Sequence, residues 1–239
     1  MSPKREEKLV AHASHLLDGF LRLREKYAVL HPMLFDADVA HRWAQGPRAR
    51  AFHTISSTLF TSCVLDVCSI ALDRDARSPS LLQLTDALSD ALLVTALRDK
   101  YSAWRGVPLP AGDPSLATIL YQAVKRDEAE RRTEFDAHLQ GLLQRWPAFR
   151  DSRAVEAFAA LRDKFLAHAE LRYGDQGYQP LDVAALGLRL QDLETAICEL
   201  QVLVQLMTAV FRSASFDFKI LDRQLQSSPT EFWGDHRDA

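Results

Sequence analysis

The sequence predicts an all-α protein, an up-and-down bundle of five to seven helices. Apolar residues return at intervals of three and four through most of the chain, the spacing of one helical face. Glycine (9) and proline (10) are scarce, while alanine, leucine, arginine and aspartate dominate, which favours helix. No stretch keeps a period-two alternation, so strands are not expected. With 239 residues, 47% hydrophobic and 26% charged, the chain can bury a full core as one domain. Short connections between long helices place neighbours antiparallel.

In order, residues 3 to 31 suggest a first long helix, carried by Leu9, Leu16, Leu17, Phe20, Leu23, Tyr27 and Leu30, with Pro32 ending it. Asp36 to Trp43 reads as a short helix closed by Gly46-Pro47. Arg48 to Leu72 is apolar over more than half its circumference, which suggests a central helix. Asp73 to Pro79 is a charged connector, with Ser78 as the N-cap and Pro79 at the first helical position. Residues 79 to 105 continue as helix with a bend near Ser89-Asp90, and Gly106 to Pro114 is the clearest loop. Residues 114 to 145 form a charged helix whose mixed signs, in Lys125 to Arg132, describe an ion-paired solvated face. After Pro147, Ser152 to Tyr173 reads as one amphipathic helix, Gly174 to Pro180 as a turn, and Asp182 as the cap of a helix running to Arg212. The bundle thus occupies residues 1 to 215, with a less regular tail from 216 to 239 that frays beyond Gln226.

The formal net charge of −3 argues against a protein that coats nucleic acid non-specifically, although a local site needs only a few cations. Three cysteines, Cys63, Cys68 and Cys198, lie in apolar helical segments without metal-ligand spacing, which fits a reducing compartment. The N-terminus has no apolar signal core, and nowhere do 18 uncharged apolar residues run together. The expectation is a cytoplasmic chain without a membrane anchor.

One stretch breaks the pattern. At about 100° per residue, Val155, Phe158, Phe165, Leu166, Ala169 and Tyr173 share a face, and Arg162 projects into its middle. A guanidinium there must be paired, reach water or meet a partner surface, because burying it bare costs several kcal/mol. His168 stands on the shoulder of the same face. Attack of an RNA 2′-hydroxyl on its neighbouring phosphodiester needs a proton acceptor titrating near neutrality, which histidine supplies. It also needs a cation on the phosphate oxygens, which arginine supplies bidentately; no metal or other cofactor is required. On one helix the two side chains lie about 120° apart and about 9 Å along the axis. They converge more easily across a two-fold axis, where two copies of the helix form one cleft. The alternative is structural: Arg162 bridges an acid on a neighbouring helix and His168 is merely half-buried.

The run Leu161-Arg162-Asp163-Lys164-Phe165-Leu166-Ala167-His168-Ala169-Glu170 resembles the motif of the HEPN superfamily, small helical bundles that include RNases of phage-defence and toxin–antitoxin systems. The likeness is to its AbiU-type abortive-infection variant. That motif is an arginine, a polar residue, and a histidine four to six residues on; here five residues separate Arg162 from His168. Ser69 to Leu81 resembles the same family's helix end, charged turn and Ser-Leu helix start. The resemblance implies a homodimer with a composite site, RNA as substrate and, in toxin–antitoxin members, an antitoxin protein as partner. It also implies catalytic Arg162 and His168, with Asp163 in support; Lys164 and Glu170 match without a role. Some members carry a tyrosine two residues after the histidine, where a partner enzyme attaches nucleotides. Glu170 stands there in this chain, and the nearest tyrosine is Tyr173. A catalytically silent HEPN-like dimerisation or adaptor module is the other function this resemblance allows.

Leu97-Arg98-Asp99-Lys100-Tyr101-Ser102-Ala103-Trp104 repeats the start of the motif with Trp104 in place of histidine. It lacks a general base and reads as structural. His12 and His15, three apart, lack a third ligand nearby and read as surface residues. His31, His41, His53, His138 and His236 are isolated. No Gly-rich phosphate loop, nucleophile elbow or paired-cysteine metal site is present.

Overall fold

The computed structural model describes residues 3–104, 106, 114–163, 171–174, 177–180 and 186–233. Its helices are α1 (Pro3–Phe35), α2 (Ala37–Trp43), α3 (Ala49–Leu72), α4 (Leu81–Ala87), α5 (Ala91–Ser102), α6 (Pro114–Arg150), α7 (Arg153–Leu161), α8 (Leu190–Arg212) and α9 (Phe218–Trp233). The fold is all-α, as its apolar periodicity predicts. The bundle is up-and-down. Lys26 of α1 reaches Ser62 and Asp66 of α3 while Gly19 abuts Ile70, so α1 and α3 run antiparallel. Arg24–Gln201 and His31–Glu194 set α8 antiparallel to α1, and Arg145–Glu199 with Gly141–Leu206 does the same for α6 and α8. The core collects Phe20, Phe135, Phe158 and Phe211, all fully buried, with Leu16, Leu23, Leu93 and Leu142. A smaller cluster of Met33, Val39, Phe52 and Trp233 closes the far end of α1 and α3.

By length and composition the segments Gly46–Leu72 and Leu190–Arg212 could each cross a membrane. In this fold α8 is the central helix, with Leu200, Leu203, Val204 and Met207 wholly out of water. α3 is not the central helix its composition suggests: a third of its apolar window is buried, and Ile55 and Leu65 are exposed.

Several boundaries differ from the sequence reading, each for a local reason. Pro32 and Pro147 end neither helix. Each lacks only its own N–H, and the turns beyond are held by buried Met33 in α1 and by Phe149 in α6. The carbonyls of Pro32 and Pro147 still accept from Asp36 and Asp151 at 3.0 and 2.9 Å. The expected helix from 79 to 105 is two helices, divided at Leu88 to Asp90, with Asp90 capping the second through the Leu92 and Leu93 amides. The N-cap of α4 is Ser80, not Ser78: its hydroxyl accepts from the Gln83 amide, while the Ser78 amide closes a turn onto Asp75 O. Asp36 does cap α2, through the amides of Asp38 and Val39. Gly46, at φ 64°, turns the chain ahead of Pro47, a conformation open to glycine at little cost.

Two differences bear on the site. Regular helix in α7 is described to Leu161, and because the chain is already extended from Leu171 the expected helix does not reach Tyr173. A two-stranded antiparallel hairpin follows, β1 (Leu171–Gly174) against β2 (Gly177–Pro180), with Tyr173 opposite Tyr178. Strands of four residues offer too few alternations for a period to register, which is why they read as helix end and turn. The last long helix starts at Leu190, where the Arg189 amide donates to Asp192; Asp182 lies outside the described residues. The tail is helical to Trp233. Its indole donates to Val29 O at 3.1 Å, and Arg42 donates to the Trp233 carbonyl.

Candidate active site

Ser152 caps α7 by accepting from the Val155 amide. Val155, Phe158 and Leu161 are buried and press the helix onto α3 and α8. Arg162 stands one turn beyond Phe158, so a continued α-helix would aim it at the core. Instead Arg162 and Asp163 lie in a widened, π-type turn, a departure that recurs at functional sites. The Arg162 Nε donates to Asp163 Oδ1 at 2.6 Å, and the two side chains remain 33% and 58% exposed. Arg162 is therefore paired by its own neighbour in sequence and still reaches water. No acid from another helix is its hydrogen-bond partner among the described residues.

The Asp163 bond raises the Arg162 pKa above its ordinary value despite partial desolvation, and Cys68 and Asp73 add smaller attractions. The guanidinium is a permanent cation at any pH of interest. Cys68, on α3, is nearly inaccessible; burial pushes its thiol up to about 11, with Arg162 pulling weakly the other way. A neutral, buried thiol is not a nucleophile.

These two neighbours place Arg162 beside the end of α3 and the charged turn after it. Asp73 terminates α3 in an extended conformation. Its carbonyl accepts from Ser80 Oγ at 2.6 Å and Gln83 Nε2 at 3.3 Å, and its carboxylate accepts from the Asp75 amide at 2.9 Å. The two short stretches singled out in the sequence, one around Arg162 and one from Ser69 to Leu81, thus meet in space. Their proximity, across some ninety residues of chain, had no local signature.

His168, Lys164 and Glu170 lie outside the described residues. The separation of Arg162 and His168 expected from a continuous helix therefore falls outside them too. Tyr173 belongs to β1. The partial repeat in α5 is structural, as its sequence suggests: Arg98 pairs with Asp136, Asp99 with Arg132 and Lys100 with Glu6. His12 is not a surface residue. It is 9% exposed, and burial together with Lys8 and His15 lowers its pKa. No three His, Cys, Asp or Glu residues cluster as metal ligands among the described residues.

The helical bundle, with its Arg-Asp pair at the end of a late helix, agrees with the resemblance to HEPN domains. The AbiU2 model of HEPN domains matches residues 6–228, so the chain belongs to the AbiU2 family, an abortive-infection-related group. No curated protein and no solved structure matches it.

Proposed function

We propose that this AbiU2-family protein is a metal-independent endoribonuclease of a phage-defence or toxin–antitoxin kind, with a composite site at a homodimer interface. The observation that carries the reading is the Arg162–Asp163 pair, held at the end of α7 with a third of the arginine open to solvent. Arg162 has Nη donors beyond the Nε given to Asp163, and these suit the two non-bridging oxygens of a phosphodiester. In the proposed reaction His168 takes the proton of an RNA 2′-hydroxyl as its oxygen attacks the adjacent phosphorus. The bond to the 5′-oxygen breaks, and that oxygen leaves with a proton returned by the imidazolium. The products are a 2′,3′-cyclic phosphate and a 5′-hydroxyl. Asp163 holds the guanidinium in line, and Arg162 stabilises charge building on the phosphate.

RNA cleavage by the purified full chain with EDTA present tests the reading, with His168→Ala and Arg162→Ala beside the wild type. Cleavage by wild type alone, ending in cyclic phosphates, is expected. Equal cleavage by all three removes both residues from the chemistry. No cleavage by any of them favours the dimerisation or adaptor module.

A further inference from the structure

The turn from Asp73 to Pro79 carries two arginines, and the structure uses them differently. Arg77 is consumed: Nε and Nη2 grip the Asp75 carboxylate at 3.1 and 2.7 Å. The turn itself is braced on all sides. Ser80 Oγ and Gln83 Nε2 hold the Asp73 carbonyl, Gln83 also donates to Asp75 O, and Lys8 Nζ reaches over from α1 to Ala76 O at 2.8 Å. Arg74 is the exception. It is exposed and makes no ion pair or hydrogen bond with any described residue. It lines a shallow groove of about 380 Å³ with Leu82, Gln83 and Asp86. That groove shares Gln83 and Asp86 with a second one along α1, where Arg5, Lys8 and His12 lie. Arg5 is taken by Asp90 at 2.7 Å. Asp86 is the acid facing both grooves, yet it forms no ion pair with Arg74. Arg74 also follows directly on Asp73, whose charge Arg162 senses.

An exposed guanidinium without an ion partner among the described residues, held on a braced turn at the edge of a groove that runs on to Lys8, is suited to a phosphate of a polyanion. We propose that Arg74 grips a backbone phosphate of single-stranded RNA at this groove, with Lys8 supplying a weaker contact across the turn. This rests on the ribonuclease reading for its choice of RNA. Phosphate contacts of this kind fix register and carry no sequence information.

Binding can be read apart from cleavage. A single-stranded oligonucleotide with 2′-O-methyl sugars lacks the attacking hydroxyl, so its affinity for the full-length protein is measurable by fluorescence anisotropy over a salt series. Arg74→Ala is expected to weaken binding several-fold, alike for different sequences, and to lower the salt slope by about 0.7. Arg74→Lys should keep most of both. The side chain is exposed, so the thermal midpoint should not move. Unchanged affinity and slope in Arg74→Ala overturn the proposal, while His168-dependent cleavage in the same preparations leaves the ribonuclease reading standing. Failure of the wild type to bind overturns it as well. Arg74-dependent binding without cleavage of ordinary RNA upholds Arg74 and sinks the ribonuclease reading instead.

Discussion

Arg162 and Asp163 form an ion pair with no intervening residue, and its exposure decides what it contributes. Pairs this open to water are worth about 0–1 kcal/mol to stability. Asp163→Asn should therefore change the unfolding free energy by less than about 1 kcal/mol while cutting RNA cleavage sharply, because the guanidinium loses its anchor. A large loss of stability with activity intact would show that the pair is structural. Thiol chemistry gives a second check at this scale. Burial pushes Cys63 up to about 12 and Cys68 up to about 11, so both are protonated and shielded at pH 8. Cys198 is exposed, though its thiol too is raised. Iodoacetamide on the native protein should label Cys198 alone, and on the denatured chain all three; mass spectrometry reads the count. Labelling of Cys68 in the folded state would contradict the packing of α7 on α3. Of this site, Arg162 could be found from its place on an apolar face, which conflicts with charge burial. Its neighbours Cys68 and Asp73 could not, since nothing in either segment encodes which helix packs on the other. Arg74 sits within a stretch that stood out in the sequence, but its free guanidinium is visible only once Arg77 is seen to be spent on Asp75.

Ser80 shows how one side chain fixes an element. It is fully buried, donates to Asp73 O and accepts from the Gln83 amide, so it ends one turn and starts α4. Ser80→Ala removes a cap worth about 1 kcal/mol and takes one of two side-chain donors from the part-buried Asp73 carbonyl, for a total of about 1–3 kcal/mol. Urea denaturation measures it, and a change within error would mean that Gln83 alone braces the turn. If Arg74 depends on that bracing, the same variant should also blunt the salt slope of RNA binding. The long helices were legible because each repeats its apolar face over many turns, as α1 does from Leu16 to Leu30. The ends were less so. Proline punctuation suggested stops at Pro32 and Pro147, but a proline near a helix end gives up one hydrogen bond, and buried Met33 and Phe149 outweigh it. A helix reaching Tyr173 is not what the chain forms, because Leu171 to Gly174 is a strand, and strands of four residues are too short to declare themselves in sequence.

At the scale of the whole molecule, Arg162 and Asp163 at the end of α7 stay partly open to water, and the proposed composite site asks for a second copy there. A two-fold axis through that end would put two arginines and two histidines into one cleft, and mixed dimers can tell whether they cooperate across it. One such dimer joins an Arg162→Ala protomer to a His168→Ala protomer, each with its own affinity tag. It retains one arginine and one histidine on opposite chains. Another joins a wild-type protomer to the double mutant and retains both on the same chain. If the catalytic pair forms across the interface, the first recovers activity that neither parent homodimer has, and the second does not. If each chain carries a self-sufficient pair, the pattern reverses and the second keeps about half the wild-type rate, since one of two independent sites is intact. A protein that is monomeric by light scattering yet cleaves RNA at full rate would remove the composite site altogether. The comparison is independent of how the chain from Lys164 to Glu170 folds, because it asks only which chain each group comes from.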